Sequence, residues 1–82
     1  GHEEAWPLLD DTVELTLPPA SRLSILPVTD LVRITIEGVR WPLTDRDVVL
    51  GSTLTLSNEV TVSPTRVSVA SGKAIILAYP NG

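Results

Sequence analysis

One stretch of this chain is written twice, and that repeat limits the fold more than anything else in the sequence. Glu14-Leu15-Thr16-Leu17-Pro18-Pro19-Ala20-Ser21-Arg22-Leu23-Ser24-Ile25 returns as Glu59-Val60-Thr61-Val62-Ser63-Pro64-Thr65-Arg66-Val67-Ser68-Val69. Identities fall at Glu14/Glu59, Thr16/Thr61, Pro19/Pro64, Arg22/Arg66 and Ser24/Ser68, and the apolar positions between them exchange one aliphatic residue for another. The first copy carries one extra residue beside its prolines. The pattern reads as an internal duplication.

Each copy alternates aliphatic and polar residues on both sides of a proline, the period of a half-buried strand. Proline lacks a ladder donor and fixes φ, so Pro18-Pro19 and Pro64 belong in turns. The expected unit is therefore a β-hairpin. Pro64-Thr65 as a two-residue loop sets Val62 opposite Val67, and Pro19-Ala20-Ser21 as a three-residue loop sets Leu17 opposite Leu23.

A second echo extends the duplication upstream: Trp6-Pro7-Leu8-Leu9-Asp10 recurs as Trp41-Pro42-Leu43-Thr44-Asp45. The halves would then span about 6–38 and 41–82 of one β domain covering residues 1–82. Residues 1–11 read as a solvated acidic arm. The opening Gly1-His2, in a chain without methionine, reads as an expression-tag remnant on a piece of a longer protein, so His2 is set aside.

Further strands follow the same alternation. Leu31 to Trp41 predicts a hairpin with a two-residue turn at Glu37-Gly38, placing Ile36 opposite Val39 and Ile34 opposite Trp41. Leu43 to Asp47 reads as polar connection, with the next strand starting at Val48. Ser57-Asn58-Glu59 reads as a loop that brings Leu54 and Leu56 opposite Val62 and Val60. Ala74 to Tyr79 is apolar on both faces, as a central strand would be. No segment carries a helical period, so the fold class is all-β: a small sandwich or barrel of seven or eight short antiparallel strands in two pseudo-symmetric halves.

Composition narrows the chemistry. With no cysteine there is no disulfide, thiolate metal site or thiol nucleophile. A net charge of −4 with scattered arginines argues against nucleic acid, and no apolar run approaches a membrane span. A nucleophile triad lacks its base once His2 is set aside. Asp10 and Asp45, matched by the Trp-Pro-Leu repeat, could pair as acid and base across two halves, but no glycine follows in the pattern an aspartic-protease half requires. They read as turn-capping carboxylates. Asp10-Asp11 and Asp45-Arg46-Asp47 lack the third spaced acid of a calcium site. No metal or cofactor is expected.

The order Leu43-Thr44, Leu50-Gly51, Leu54-Thr55-Leu56, Val60-Thr61-Val62 and Val69-Ala70-Ser71-Gly72-Lys73 resembles the SpoA domains of flagellar and type III secretion switch complexes. That resemblance implies a small β module assembling by intertwined dimerisation. The chain departs from the pattern in its Asn-Gly turn, in the segment before the central strand, and in its internal duplication.

These readings converge on a non-enzymatic assembly or protein-interaction module, part of a virion, secretion apparatus or surface appendage, whose partners are protein subunits. The alternative is a glycan-binding module. In either case the contact residues are Trp6, Pro7, Leu8 and Trp41, since amphipathic aromatics give much contact area at low entropy cost. The bland reading of Trp41 is core packing beside Ile34, which leaves Trp6 as the more accessible indole.

Overall fold

Alternation does set the local structure: the computed structural model describes residues 4–51 and 56–79, and its regular elements are all strands. In chain order they are β1 (Glu4–Leu9), β2 (Thr12–Leu15), β3 (Arg22–Pro27), β4 (Leu31–Glu37), β5 (Leu43–Val48), β6 (Leu56–Glu59), β7 (Thr65–Ser68) and β8 (Lys73–Tyr79). They form two four-stranded antiparallel sheets, β1-β8-β3-β6 and β2-β7-β4-β5. The inward residues of both, among them Leu8, Leu15, Leu23, Ile25, Ile34, Ile36, Val60, Val67 and Ile76, share one aliphatic core. The expected all-β sandwich class is what forms.

The proline segments behave differently from the expected hairpins. β2 and β3 lie in different sheets, as do β6 and β7, so each copy of the repeat crosses the sandwich instead of folding back beside itself. Period 2 tells which face of a strand is buried but not which strand lies beside it. The favoured two-residue hairpin turns need positive φ at a Gly or Asn, which Pro64-Thr65 cannot supply. Val62 consequently does not face Val67 and stands 61% exposed.

The two copies pair with each other instead. Thr12 lies opposite Ser68, Val13 opposite Val67 and Glu14 opposite Arg66 in one sheet. In the other, Ser57 lies opposite Ser24, Asn58 opposite Leu23 and Glu59 opposite Arg22. Each pair is the image of the other under exchange of copies. The correspondence extends outward: β3 pairs β8 as β7 pairs β4, and β8 pairs β1 as β4 pairs β5. The strand order of one sheet therefore maps onto the other, β1–β4 onto β5–β8. The crossings are tied together by Ala20 N donating to Val60 O, Val60 N donating to Ser21 O, and Ser63 Oγ donating to Leu17 O.

The Trp-Pro-Leu echo has no such correspondence. Trp6 lies inside β1 opposite Ile76, whereas Trp41 precedes β5. Residues 4–9 are not a free arm, because β1 pairs with β8 along its length and buries Leu8 completely. The hairpin after β4 also has a longer connection than expected. Gly38 has the positive φ of +81°. Its carbonyl accepts from Thr61 N and Val62 N, and Arg40 N donates to Glu59 O. Those bonds hold residues 38–40 against residues 59–62, so the return strand begins only at Leu43, and Leu43 and Arg46 take the places opposite Ile36 and Ile34 that Val39 and Trp41 were expected to fill. The polar run Leu43–Val48 is an edge strand, beside β4 alone and with Thr44 to Asp47 all exposed, and register shifts against β4 mark irregularities there. Arg33 and Asp45 take left-handed φ at those shifts. Asp47 Oδ1 accepts from Arg33 N, and Asp45 N donates to Thr35 Oγ1.

β8 is central, as its composition suggests, between β1 and β3. Leu56 pairs with Ile25 and not with Val60, while Leu54 lies outside the described residues. No helix among the described residues is long and apolar enough to cross a membrane.

Candidate functional site

A concave surface lies at the end of the first sheet where β8, β3 and β6 meet. Strand pairing sets Arg22 between Tyr79 and Glu59, and Ser24 between Leu77 and Ser57. Leu23 and Ile25 point into the core, so alternation turns Arg22 and Ser24 outward. The result is an open depression of about 340 Å³ lined by Arg22, Leu23, Ser24, Ser57, Asn58 and Tyr79.

Asn58 joins this depression to Trp41. Its Oδ1 accepts from Trp41 N at 3.0 Å and from Glu59 N at 3.0 Å, while its Nδ2 donates to Trp41 O at 2.8 Å. A side-chain amide thus stands in for one rung of a β-ladder and holds the loop before β5 by both backbone groups of a single residue. The Trp41 indole is 57% exposed. The Arg40 guanidinium carbon sits 5.0 Å from its ring centroid, a cation over one face, and Arg40 is in turn 3.8 Å from Glu59.

The residues singled out from sequence are therefore dispersed. Trp41 is not a core residue beside Ile34; it stands exposed on the loop before β5. Trp6 is half-buried and packs against the core, Pro7 is exposed on β1, and Leu8 is enclosed. A fully buried Leu8 has no surface to give a partner. Asp10 acts as a cap: its Oδ1 accepts from Gly72 N at 2.6 Å. Asp11 Oδ1 accepts from Thr12 N. Asp45 sits at a left-handed bulge, with its amide bound to Thr35. Among the described residues no group of three or more His, Cys, Asp or Glu could hold a metal ion.

Sequence reasoning missed Ser57-Asn58, which it placed in a loop. They lie in β6, and a signal was present. Extending the duplication two residues upstream of Glu14/Glu59 matches Thr12-Val13 with Ser57-Asn58, so a half-buried aliphatic in one copy is a polar amide in the other.

The structure is thus a two-sheet antiparallel β-sandwich with an open depression at the end of one sheet, edged by Tyr79. The model of the family described as "Thiamin pyrophosphokinase, vitamin B1 binding domain" matches residues 12–76. The chain belongs to that family.

Solved structures agree in fold. The thiamin pyrophosphokinase of Geobacillus thermodenitrificans superposes with a TM-score of 0.87 at 25% identity, over 94% of this chain and 37% of that one. The thiamine pyrophosphokinase of Bacillus subtilis gives 0.82 at 24% identity, over 94% and 37%. A thiamin pyrophosphokinase family protein of Enterococcus faecalis gives 0.76 at 16% identity, over 94% and 36%. This chain thus spans little more than a third of the length of those proteins. No curated protein matched it.

These findings overturn the functional expectation drawn from sequence. The scarcity of catalytic residue types pointed to a non-enzymatic assembly module of a virion, secretion apparatus or surface appendage, with glycan binding as the alternative. The family instead is a vitamin-binding domain of an enzyme. A binding domain needs no nucleophile or base of its own, so the absence of such residues carried less information than it was given.

Proposed function

We propose that this chain is the vitamin-binding part of a thiamin pyrophosphokinase and that Trp41 is the platform on which the vitamin stacks. The observation that carries the reading is an indole 57% exposed whose backbone is held by both hydrogen-bonding groups of Asn58. Vitamin B1 is a cation built from two flat heteroaromatic rings. A tryptophan face attracts such a ring by dispersion and by its quadrupole, with about 0.5–2 kcal/mol from the cationic component alone. Holding the loop beforehand lowers the entropy lost when the ligand docks. Arg40 lies against one face of the indole, so the ligand takes the other. The net charge of −4 draws a cation toward the surface at long range.

The test is a thiamin titration of the chain in a Trp6→Phe background, followed by Trp41 fluorescence. Saturable quenching that Trp41→Ala abolishes in calorimetry supports the assignment. No saturable signal up to roughly 1 mM, where binding is worth about 4 kcal/mol, would refute it.

A further inference from the structure

The internal correspondence of the sheets supplies a control for the charge in the depression. Arg66 and Arg22 occupy matched positions, each opposite a glutamate of the other copy. Arg66 is neutralised: its Nη2 lies 3.0 Å from Glu14 Oε2, and its other cross-strand neighbour is Glu37. The hydrogen bond to Glu14, and then the charges of Glu14 and Glu37, raise that guanidinium above its usual range.

Arg22 has the same frame with one acid replaced and the other engaged elsewhere. The place of Glu37 is taken by Tyr79, and the place of Glu14 is taken by Glu59, which is drawn to Arg40 instead. Among the described residues Arg22 makes no ion pair, and no carboxylate lines the depression it faces. On the outward face of these strands its neighbours along the depression carry hydroxyls: Ser24, Ser57 and Tyr79. On a chain of net charge −4, one sheet thus pairs its arginine with a carboxylate while the other presents it beside hydroxyl groups.

We propose that this depression is an oxyanion site, taking a phosphate or pyrophosphate group with Arg22 as its charge and the Ser24 and Ser57 hydroxyls as donors. The planar guanidinium fork matches two phosphate oxygens at once, which a point charge does not. Ser24 and Ser57 are direct cross-strand partners on the outward face, two positions along from Arg22, so an anion on the fork lies within their reach. The site rests on charge and not on the Trp41 platform, and the two fail separately.

The experiment titrates the chain with sodium pyrophosphate, inorganic phosphate and thiamin diphosphate at low ionic strength, followed by calorimetry and by 31P line broadening. The unaltered chain and Arg66→Gln should bind pyrophosphate alike. Arg22→Gln should lose at least about tenfold in affinity, the scale of one charge-assisted contact. Tyr79→Glu, which places a carboxylate beside Arg22 where Glu37 stands beside Arg66, should lose a similar factor with the arginine still present. Trp41→Ala should leave pyrophosphate binding unchanged, and Arg22→Gln should leave thiamin binding unchanged. Thiamin diphosphate binding more tightly than pyrophosphate, with the excess removed by Trp41→Ala, would show that the group arrives attached to the vitamin. Equal binding would show that free pyrophosphate is the ligand. The proposal is overturned if the unaltered chain binds no phosphate species, if Arg22→Gln binds as well as the unaltered chain, or if Arg66→Gln loses as much as Arg22→Gln.

Discussion

Replacing Asn58 with alanine should loosen the loop that carries Trp41 while leaving the sandwich intact. The side chain makes two bonds to that loop, 3.0 Å from Trp41 N and 2.8 Å to Trp41 O. An ordinary hydrogen bond contributes about 0.5–1.5 kcal/mol net, and these lie where water can replace them, so the loss should be roughly 1–2 kcal/mol in total. For a chain of this size that lowers Tm by roughly 4–16 °C, readable in urea and thermal denaturation. The ligand should feel it separately. Ordering a freed side chain costs about 0.5–1.5 kcal/mol, which is roughly a 2- to 13-fold weaker vitamin Kd. Acrylamide quenching of Trp41 in the Trp6→Phe background should rise without ligand present. Asn58→Asp isolates the geometry: it keeps an acceptor for Trp41 N but turns a carboxylate oxygen toward Trp41 O, so it should resemble Asn58→Ala and not the unaltered chain. Wild-type stability and wild-type quenching in Asn58→Ala would refute the positioning role.

Two further substitutions test the fold that presents this site. Thr65→Val should stabilise the chain by about 1 kcal/mol in urea, because the buried Thr65 Oγ1 has no hydrogen-bond partner among the described residues and a methyl group of the same size avoids its desolvation cost; a lower midpoint would contradict this. Gly38→Ala should cost at least about 2 kcal/mol, since φ is +81° and a Cβ there would meet the Val62 and Pro64 carbonyl oxygens at 2.8 Å; a stability change under about 0.5 kcal/mol would show that the loop can shift.

The strands were legible because alternation and proline placement are local. Leu15, Leu23, Ile25, Val60, Val67 and Val69 are buried as their spacing implies. Partnership was not legible, for a physical reason. A β-arch that crosses a sandwich and a hairpin that folds back place the same residues on the inward face, so the aliphatic pattern of residues 59–69 satisfies either. What separates them is long-range: Gly38 O, Ser21 O and the opposite copy of the repeat already occupy the backbone groups of residues 59–62 and 65–68. The Leu43–Val48 edge strand was hidden by a different cause. Its polar residues face solvent, and its backbone irregularities are pinned by side-chain bonds across to β4, from Arg33 N to Asp47 and from Asp45 N to Thr35.

The site was hidden by the same duplication that revealed the fold. A repeat draws attention to what its copies share, and what they share here is scaffold: the glutamate and arginine at matched rungs, and the aliphatics between them. A ligand needs something the scaffold does not need twice. The departures from symmetry fall together on one sheet end, where Asn58 replaces the aliphatic Val13, Tyr79 replaces Glu37, and Glu59 turns to Arg40 in place of the matched arginine. None of these changes is demanded by the core, since Arg66 with its two acids shows that the frame folds with every charge answered. The second sheet therefore works as an internal control in which the packing is retained and the open face is not, and the proposed sites are drawn from the residues that differ between the sheets.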